Sequence, residues 1–282
     1  MGALLVACTV AVVLGDAQLG RYPFLFLLLL LALAWMACLE LLHLLAGPGR
    51  PWAWLCYAGV ALVVLANLPA HLGGRLESLD RDAWHWVLGA FTAVVLAAFL
   101  VGMATFREPG TSVMRIALTI WTVGYLALLP SFLAQLRWPV GIGEEQFGEA
   151  GTLRLALAIF VPKCGDIGAY FTGRLVGRHP MAPVLSPKKT WEGAAGGLAA
   201  SVAGAIGIDR IASAPVLHGL WAEVGFGVTV GIAGMLGDLA ESLIKRDCRQ
   251  KDASHVVPGF GGVLDVVDSV VFAAPVAYCW LR

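Results

Sequence analysis

The chain has 282 residues, 59% hydrophobic and 13% charged, with 19 basic and 19 acidic side chains. Soluble domains carry about 25% charged residues, so this composition excludes an ordinary water-soluble domain and makes lipid the main solvent. Zero net charge gives no global pull toward nucleic acid, and six cysteines scattered without C-x-x-C spacing argue against a disulfide framework or a cysteine metal site.

In chain order, apolar runs of bilayer length occupy 23–46, 52–72, 84–106, 113–135, 153–173, 193–213, 219–244 and 258–281. A spanning helix needs ~20 such residues. A shorter run at 2–14 lacks the basic flank of a signal peptide and is followed at once by another apolar run, so it reads as a first short span. The expected fold is all-α, a polytopic integral membrane protein with about nine transmembrane helices. Residues 1–150 supply the N-terminal transmembrane helices, and 151–282 form a C-terminal transmembrane catalytic region. Small residues crowd the run at 193–207, GAAGGLAASVAGAIG, as close helix packing in lipid requires.

Charge sets the orientation. The connectors at 47–51, 107–112, 174–192 and 245–257 fall on one side under this topology. With Arg115, that side holds Arg50, Arg107, Arg174, Arg178, Lys188, Lys189, Lys245, Arg246, Arg249 and Lys251. The other side holds Arg21, Arg75, Arg81, Arg137, Arg154 and Arg282. The richer side is expected to be cytoplasmic. Two spans separate the 174–192 and 245–257 connectors, so both face the same way whatever the first segment does.

Three polar constellations interrupt the apolar pattern. The first is KCGDIGAYFTGRLVGRHPMAPVLSPKKTWEG at 163–193, where Lys163 and Asp166 sit i, i+3 inside a span. Ionisable groups at membrane depth are expensive and point to function. Its connector adds Ser186, Lys188, Lys189, Thr190 and Glu192, a turn with hydroxyl and ammonium groups suited to phosphates. In the second, Asp238, Glu241, Ser242 and Lys245 follow i, i+3, i+4, i+7 and share one helix face. In the third, Asp265 and Asp268 begin the last apolar run after a glycine turn. Capping at a helix N-terminus explains one acidic residue there; divalent-metal ligation explains both. No Walker A motif, G-x-G-x-x-G fingerprint or nucleophile elbow occurs.

Together these stretches resemble the phosphatidate cytidylyltransferases (CDP-diacylglycerol synthases). The resemblance lies in D-x-x-A-Y-x-x-G-R at Asp166–Arg174, S-P-K-K-T-W-E-G at Ser186–Gly193 and G-D-L-x-E-S at Gly237–Ser242. It continues through Lys245, Arg246, Lys251, Asp252, P-G-x-G-G at Pro258–Gly262 and D-x-x-D at Asp265–Asp268. Phe260 stands where the family pattern has histidine, and Val266 where it has arginine. The resemblance implies transfer of a cytidylyl group from CTP to phosphatidate in the inner leaflet of the cell inner membrane, with the site facing the cytoplasm. Asp238, Asp265 and Asp268 are then the expected ligands of Mg²⁺, with room for a second, monovalent cation. Lys245 and Lys251 join them as catalytic side chains. Ser186, Lys188, Lys189, Thr190, Glu192, Ser242, Arg246, Asp252, Gly261, Gly262 and Asp166 are expected to hold the substrates. A homodimer is compatible with the sequence, and no nucleic acid is expected. The rivals are a CTP-dependent enzyme acting on an ether or isoprenoid lipid phosphate, a polyprenol kinase, and a membrane transporter.

Overall fold

Hydropathy and length decide where this chain is helical, because in lipid every backbone N–H and C=O must find its partner within the segment. The computed structural model describes residues 24–47, 49–69, 82–137, 147–250 and 262–282. Among them lie α1 (Phe24–Leu44), α2 (Ala53–Leu65), α3 (Ala83–Thr105), α4 (Ser112–Arg137), α5 (Phe147–Val176), α6 (Trp191–Ile211), α7 (Leu220–Asp247) and α8 (Val263–Leu281). Seven of these are long and apolar enough to cross a membrane, so the chain is a multi-pass membrane protein. The run expected at 52–72 forms the 13-residue helix α2. At 1.5 Å per residue it reaches about 20 Å, short of a ~30 Å hydrocarbon core. The expected span at 2–14 lies outside the described residues.

The contacts divide the chain into two units, residues 1–135 with 252–264 and residues 136–251 with 265–282. In the first, α1 packs on α2, α2 on α3, and α3 on α4. Helix α4 carries a π-helical turn at Gly124–Leu128. Beyond it, a buried polar knot fastens α4 to the end of α2. There Asn67 Nδ2 donates to Ser131 Oγ at 3.0 Å, and Gln135 Nε2 donates to Asn67 Oδ1 at 2.6 Å. At the other end of α4, Arg115 Nε donates to the Arg50 carbonyl at 3.1 Å and its guanidinium lies 5.0 Å from the centre of the Trp52 ring. The starts of α2 and α4 therefore meet at one end of this unit.

In the second unit α6 packs on α5 and α7, through small residues. A Cβ added to Gly168 of α5 would lie 2.8 Å from the Gly196 carbonyl of α6, and one added to Gly227 of α7 would lie 2.6 Å from Val202 Cα. The helices thus approach with backbone against backbone, as the small-residue pattern at 193–207 predicts. Between α5 and α6 the chain makes an antiparallel hairpin of β1 (Pro180–Ala182) and β2 (Ser186–Thr190). Thr190 then ends the hairpin and caps α6, its Oγ1 accepting the Gly193 N–H at 3.1 Å.

The glycines make a test with opposite signs. Gly168→Ala forces its methyl into Gly196 and is expected to destabilise by about 1–3 kcal/mol. Gly207→Ala meets nothing within 4 Å and is expected to stabilise by roughly 0.5–1 kcal/mol, since alanine replaces a glycine inside a helix. Thermal unfolding of the detergent-solubilised variants reads both.

Candidate functional site

The polar residues of all three constellations converge in the second unit. The C-terminal turns of α7 bring Asp238, Glu241 and Lys245 onto one face, the first turns of α8 bring Asp265 and Asp268, α5 brings Lys163 and Asp166, and β2 brings Lys188 and Lys189. Each lysine except Lys188 is drawn onto a carboxylate. Lys245 Nζ lies 2.5 Å from Asp265 Oδ1 and 3.1 Å from Glu241 Oε1. Lys163 Nζ lies 3.1 Å from Asp166 Oδ2 and 3.5 Å from Asp268 Oδ1, and Lys189 Nζ lies 2.7 Å from Asp238 Oδ2. Ser269 Oγ donates to Asp166 at 2.9 Å, and Asp268 Oδ1 accepts the Ser269 N–H at 2.5 Å.

Three carboxylates of this network, each on a different lysine, also lie close to one another. One oxygen from each of Asp238, Glu241 and Asp268 lies within 4.8 Å of the others, and Glu241 and Asp268 are buried. Like charges so close and so dry repel unless a cation sits among them. The network holds five carboxylates (Asp166, Asp238, Glu241, Asp265, Asp268) against three ammonium groups (Lys163, Lys189, Lys245), a formal excess of two acids. Glu241 Oε1 makes no hydrogen bond, although the Lys245 ammonium is 3.1 Å away. An all-oxygen donor set with this excess of carboxylates fits a hard divalent cation.

Beside the cluster lies a cavity of ≈ 510 Å³. Asp166, Tyr170, Gly173 and Arg174 of α5, Met181, Lys188, Lys189 and Thr190 of the hairpin, Gly193 and Ala194 of α6, and Met235 and Asp238 of α7 line it. Arg174 is held at the wall by a 2.8 Å hydrogen bond from its Nη1 to the Tyr170 hydroxyl. Among the described residues, neither Arg174 nor Lys188 pairs with a carboxylate. The cavity therefore presents free cations on one wall and acid oxygens on another. Hairpin and helix end are joined directly, since Arg246 Nε donates to the Leu185 carbonyl at 3.2 Å. The 174–192 connector and the end of α7 thus share one face of this unit, as the count of spans between them requires.

Other expected site residues take different places. Glu192 straps the hairpin down rather than facing the cavity: its carboxylate accepts the N–H groups of Arg178 and His179 at 3.1 and 3.2 Å and meets the His179 ring at 2.5 Å. Ser186 opens β2 and Ser242 lies on α7 beside Glu241, both half-buried. Of the three aspartates expected on a metal, Asp238 and Asp268 come together with Glu241, while Asp265 sits on Lys245. The helical spacing from Asp238 to Lys245 contained Glu241; what it lacked was the depth of its burial. Lys251, Asp252 and Gly261 lie outside the described residues, as does Phe260.

Similarity to known proteins covers this region and more. The sequence model of the cytidylyltransferase family matches residues 2–282. The chain is 34% identical over 227 residues to a protein named phosphatidate cytidylyltransferase from Brucella suis biovar 1 (strain 1330), covering 80% of this chain and 71% of that one. A protein of the same name from Synechocystis sp. is 33% identical over 237 residues, 77% of this chain and 74% of that one. Phosphatidate cytidylyltransferase 5, chloroplastic, from Arabidopsis thaliana is 33% identical over 210 residues, 67% of this chain and 51% of that one. The chain spans about half the length of the plant relatives it matches.

The ion pairs make a stability prediction. Lys245→Met leaves Glu241 and Asp265 facing each other without their shared cation, and removing one partner of a buried pair costs about 3–5 kcal/mol. Unfolding of the purified variant in detergent is expected to show a loss of that order, reduced when Asp265→Asn is added.

Proposed function

Because the chain belongs to the cytidylyltransferase family, we propose that it transfers a cytidylyl group from CTP to the phosphate of phosphatidate, giving CDP-diacylglycerol and pyrophosphate. The observation that carries this reading is the cavity itself, where unpaired cations face acid oxygens inside a bundle of membrane helices. Such a pocket suits a polyphosphate bound with a divalent cation. A transporter site would put its charges across the midplane of repeated halves.

In the reaction a lipid phosphate oxygen attacks the α-phosphorus of CTP. The bond from that phosphorus to the β-phosphate bridging oxygen breaks, and pyrophosphate leaves with the electron pair. The attacking oxygen is already anionic at neutral pH, so no general base is needed. Catalysis reduces to holding two phosphates in line and neutralising charge. Lys188 and Arg174 are placed to take phosphate oxygens, and Lys189, paired with Asp238 at the cavity wall, lies within reach of them. Asp238, Glu241 and Asp268 are the residues to hold Mg²⁺, which would supply charge neutralisation at the triphosphate. Lys163 and Lys245 hold the neighbouring carboxylates in place. The hairpin end of the bundle faces the cytoplasm of the cell inner membrane on this reading, where CTP is found; the Lys/Arg asymmetry of the connectors supports it.

The direct test is purified protein in mixed micelles with labelled CTP and Mg²⁺. Labelled CDP-diacylglycerol is expected with phosphatidate, and Asp238→Asn should lower its rate by roughly 100-fold or more. Label appearing in lipid only with an isoprenoid phosphate, or γ-phosphate transferred to a polyprenol, would replace phosphatidate as the acceptor. Orientation has its own measurement: single cysteines at Arg178 and Arg249 should both react with an impermeant reagent from the cytoplasmic side. Protection of both there, with reaction from outside, would reverse the topology.

A further inference from the structure

We propose that Glu40 is a positioning residue for the site: from α1 its carboxylate caps the N-terminus of α8 and so fixes where Asp265 and Asp268 begin their helix. Glu40 is the single acidic side chain of α1, FLFLLLLLALAWMACLELLHL, and it is 4% exposed. A carboxylate in such a helix is costly unless it has strong partners. Two backbone amides are among its partners. Glu40 Oε1 accepts the Val263 N–H at 2.9 Å and Oε2 accepts the Leu264 N–H at 2.9 Å.

The first N–H groups of any helix lack partners within it, and the aligned peptide dipoles put partial positive charge there. Helices usually answer this locally, with Ser, Thr, Asp or Asn just before the first turn. Helix α8 cannot, because the residues leading into it are Gly259, Phe260, Gly261 and Gly262. Its cap comes instead from a residue 223 positions earlier in the chain. Gly262 is part of the same device. A Cβ added there would lie 2.8 Å from the Glu40 carboxyl carbon, so the carboxylate reaches the helix end only because that position has no side chain.

The consequence for chemistry follows from helix geometry. Asp265 follows Leu264 directly, and Asp268 lies one turn further on. The two amides held by Glu40 set the start, rotation and tilt of the turn that presents both aspartates, so a shift at the cap is passed to them. The inference rests on the reading of Asp268 as a metal ligand, and the experiment separates the two.

Mn²⁺ is titrated into the purified full-length protein in detergent, with binding read by electron paramagnetic resonance and turnover measured alongside. Glu40→Gln has the shape of the native side chain but keeps one acceptor oxygen. It is expected to weaken Mn²⁺ binding about 10-fold, as loss of an outer partner of a metal ligand does, and to lower kcat with little change in the KM for CTP. Gly262→Ala should act likewise from the other side of the contact, and the double variant should add little to either. Glu40→Asp, which retains charge and both oxygens, should recover part of the loss.

Wild-type Mn²⁺ affinity and kcat in Glu40→Gln would overturn the inference. If Asp268→Asn also binds Mn²⁺ like the wild type, the metal assignment fails; if Asp268→Asn loses the ion while Glu40→Gln keeps it, only the positioning role fails. Should neither Glu40→Gln nor Glu40→Asp yield monodisperse folded protein, Glu40 is a folding element and the inference is likewise overturned.

Discussion

Charge inside an apolar helix bundle must be paired, and much of the second unit follows from that constraint. An ionised side chain at membrane depth costs about 3 kcal/mol on insertion scales and more in stricter estimates. Several such groups left alone would cost as much as the ~5–15 kcal/mol by which a folded domain is stable. The arrangement answers by alternating lysines and carboxylates: Lys163 between Asp166 and Asp268, Lys245 between Glu241 and Asp265, and Lys189 on Asp238. The alternation does not close. By formal count the carboxylates outnumber the lysines by two, and three of them, Asp238, Glu241 and Asp268, converge. The same lysines that pair with these carboxylates thus hold three of them close together in a dry place.

Close backbone packing is what permits the pairing. Lysine reaches a carboxylate across two helices only if the helices approach to the limit that glycine allows. Gly237 sits one residue before Asp238, and a Cβ on it would be 3.1 Å from the Asp268 carbonyl carbon. The glycine therefore sets the separation of α7 and α8 at the level where their carboxylates meet. Pro162, one residue before Lys163, similarly leans on Gly234 of α7, where a Cβ would be 2.8 Å away. Asp238 and Lys163 thus each lie beside a contact in which a glycine lets two helices come near.

This division also explains what could be read from the sequence. The long helices were legible because lipid imposes length and hydropathy on each segment by itself. Lys163 with Asp166, and Asp238 with Glu241 and Lys245, were legible because helical spacing puts them on one face. The allocation of Asp265 to Lys245 and Asp268 to the acidic trio was not, since both lie within one turn of α8 and only the rotation of that helix against α5 and α7 distinguishes them. Glu192 looked like a phosphate-side residue because it follows two lysines; the hairpin turns it back onto the Arg178 and His179 amides. Glu40 gave a signal, a lone carboxylate in an apolar span, but no local pattern names a partner 223 residues away.

On the proposed function, helix α5 would serve both a water-soluble and a lipid substrate. Asp166, Ala169, Gly173 and Arg174 line the cavity. Ile167 and Phe171, offset by one residue from that stripe, are each 58% exposed on the outer surface, and Tyr170 is both exposed and part of the lining. The tyrosine joins the two faces, its ring turned outward at the edge of Phe171 with centroids 5.4 Å apart, its hydroxyl bonded to Arg174. For the proposed reaction, acyl chains can stay against the apolar stripe while the phosphate they carry reaches Arg174. No charged headgroup then needs to cross the bundle, and no hydrocarbon needs to leave the bilayer. The cost of bringing the two substrates together is met by a helix whose adjacent faces differ in solvent, and the Tyr170–Arg174 pair marks the line where those faces meet.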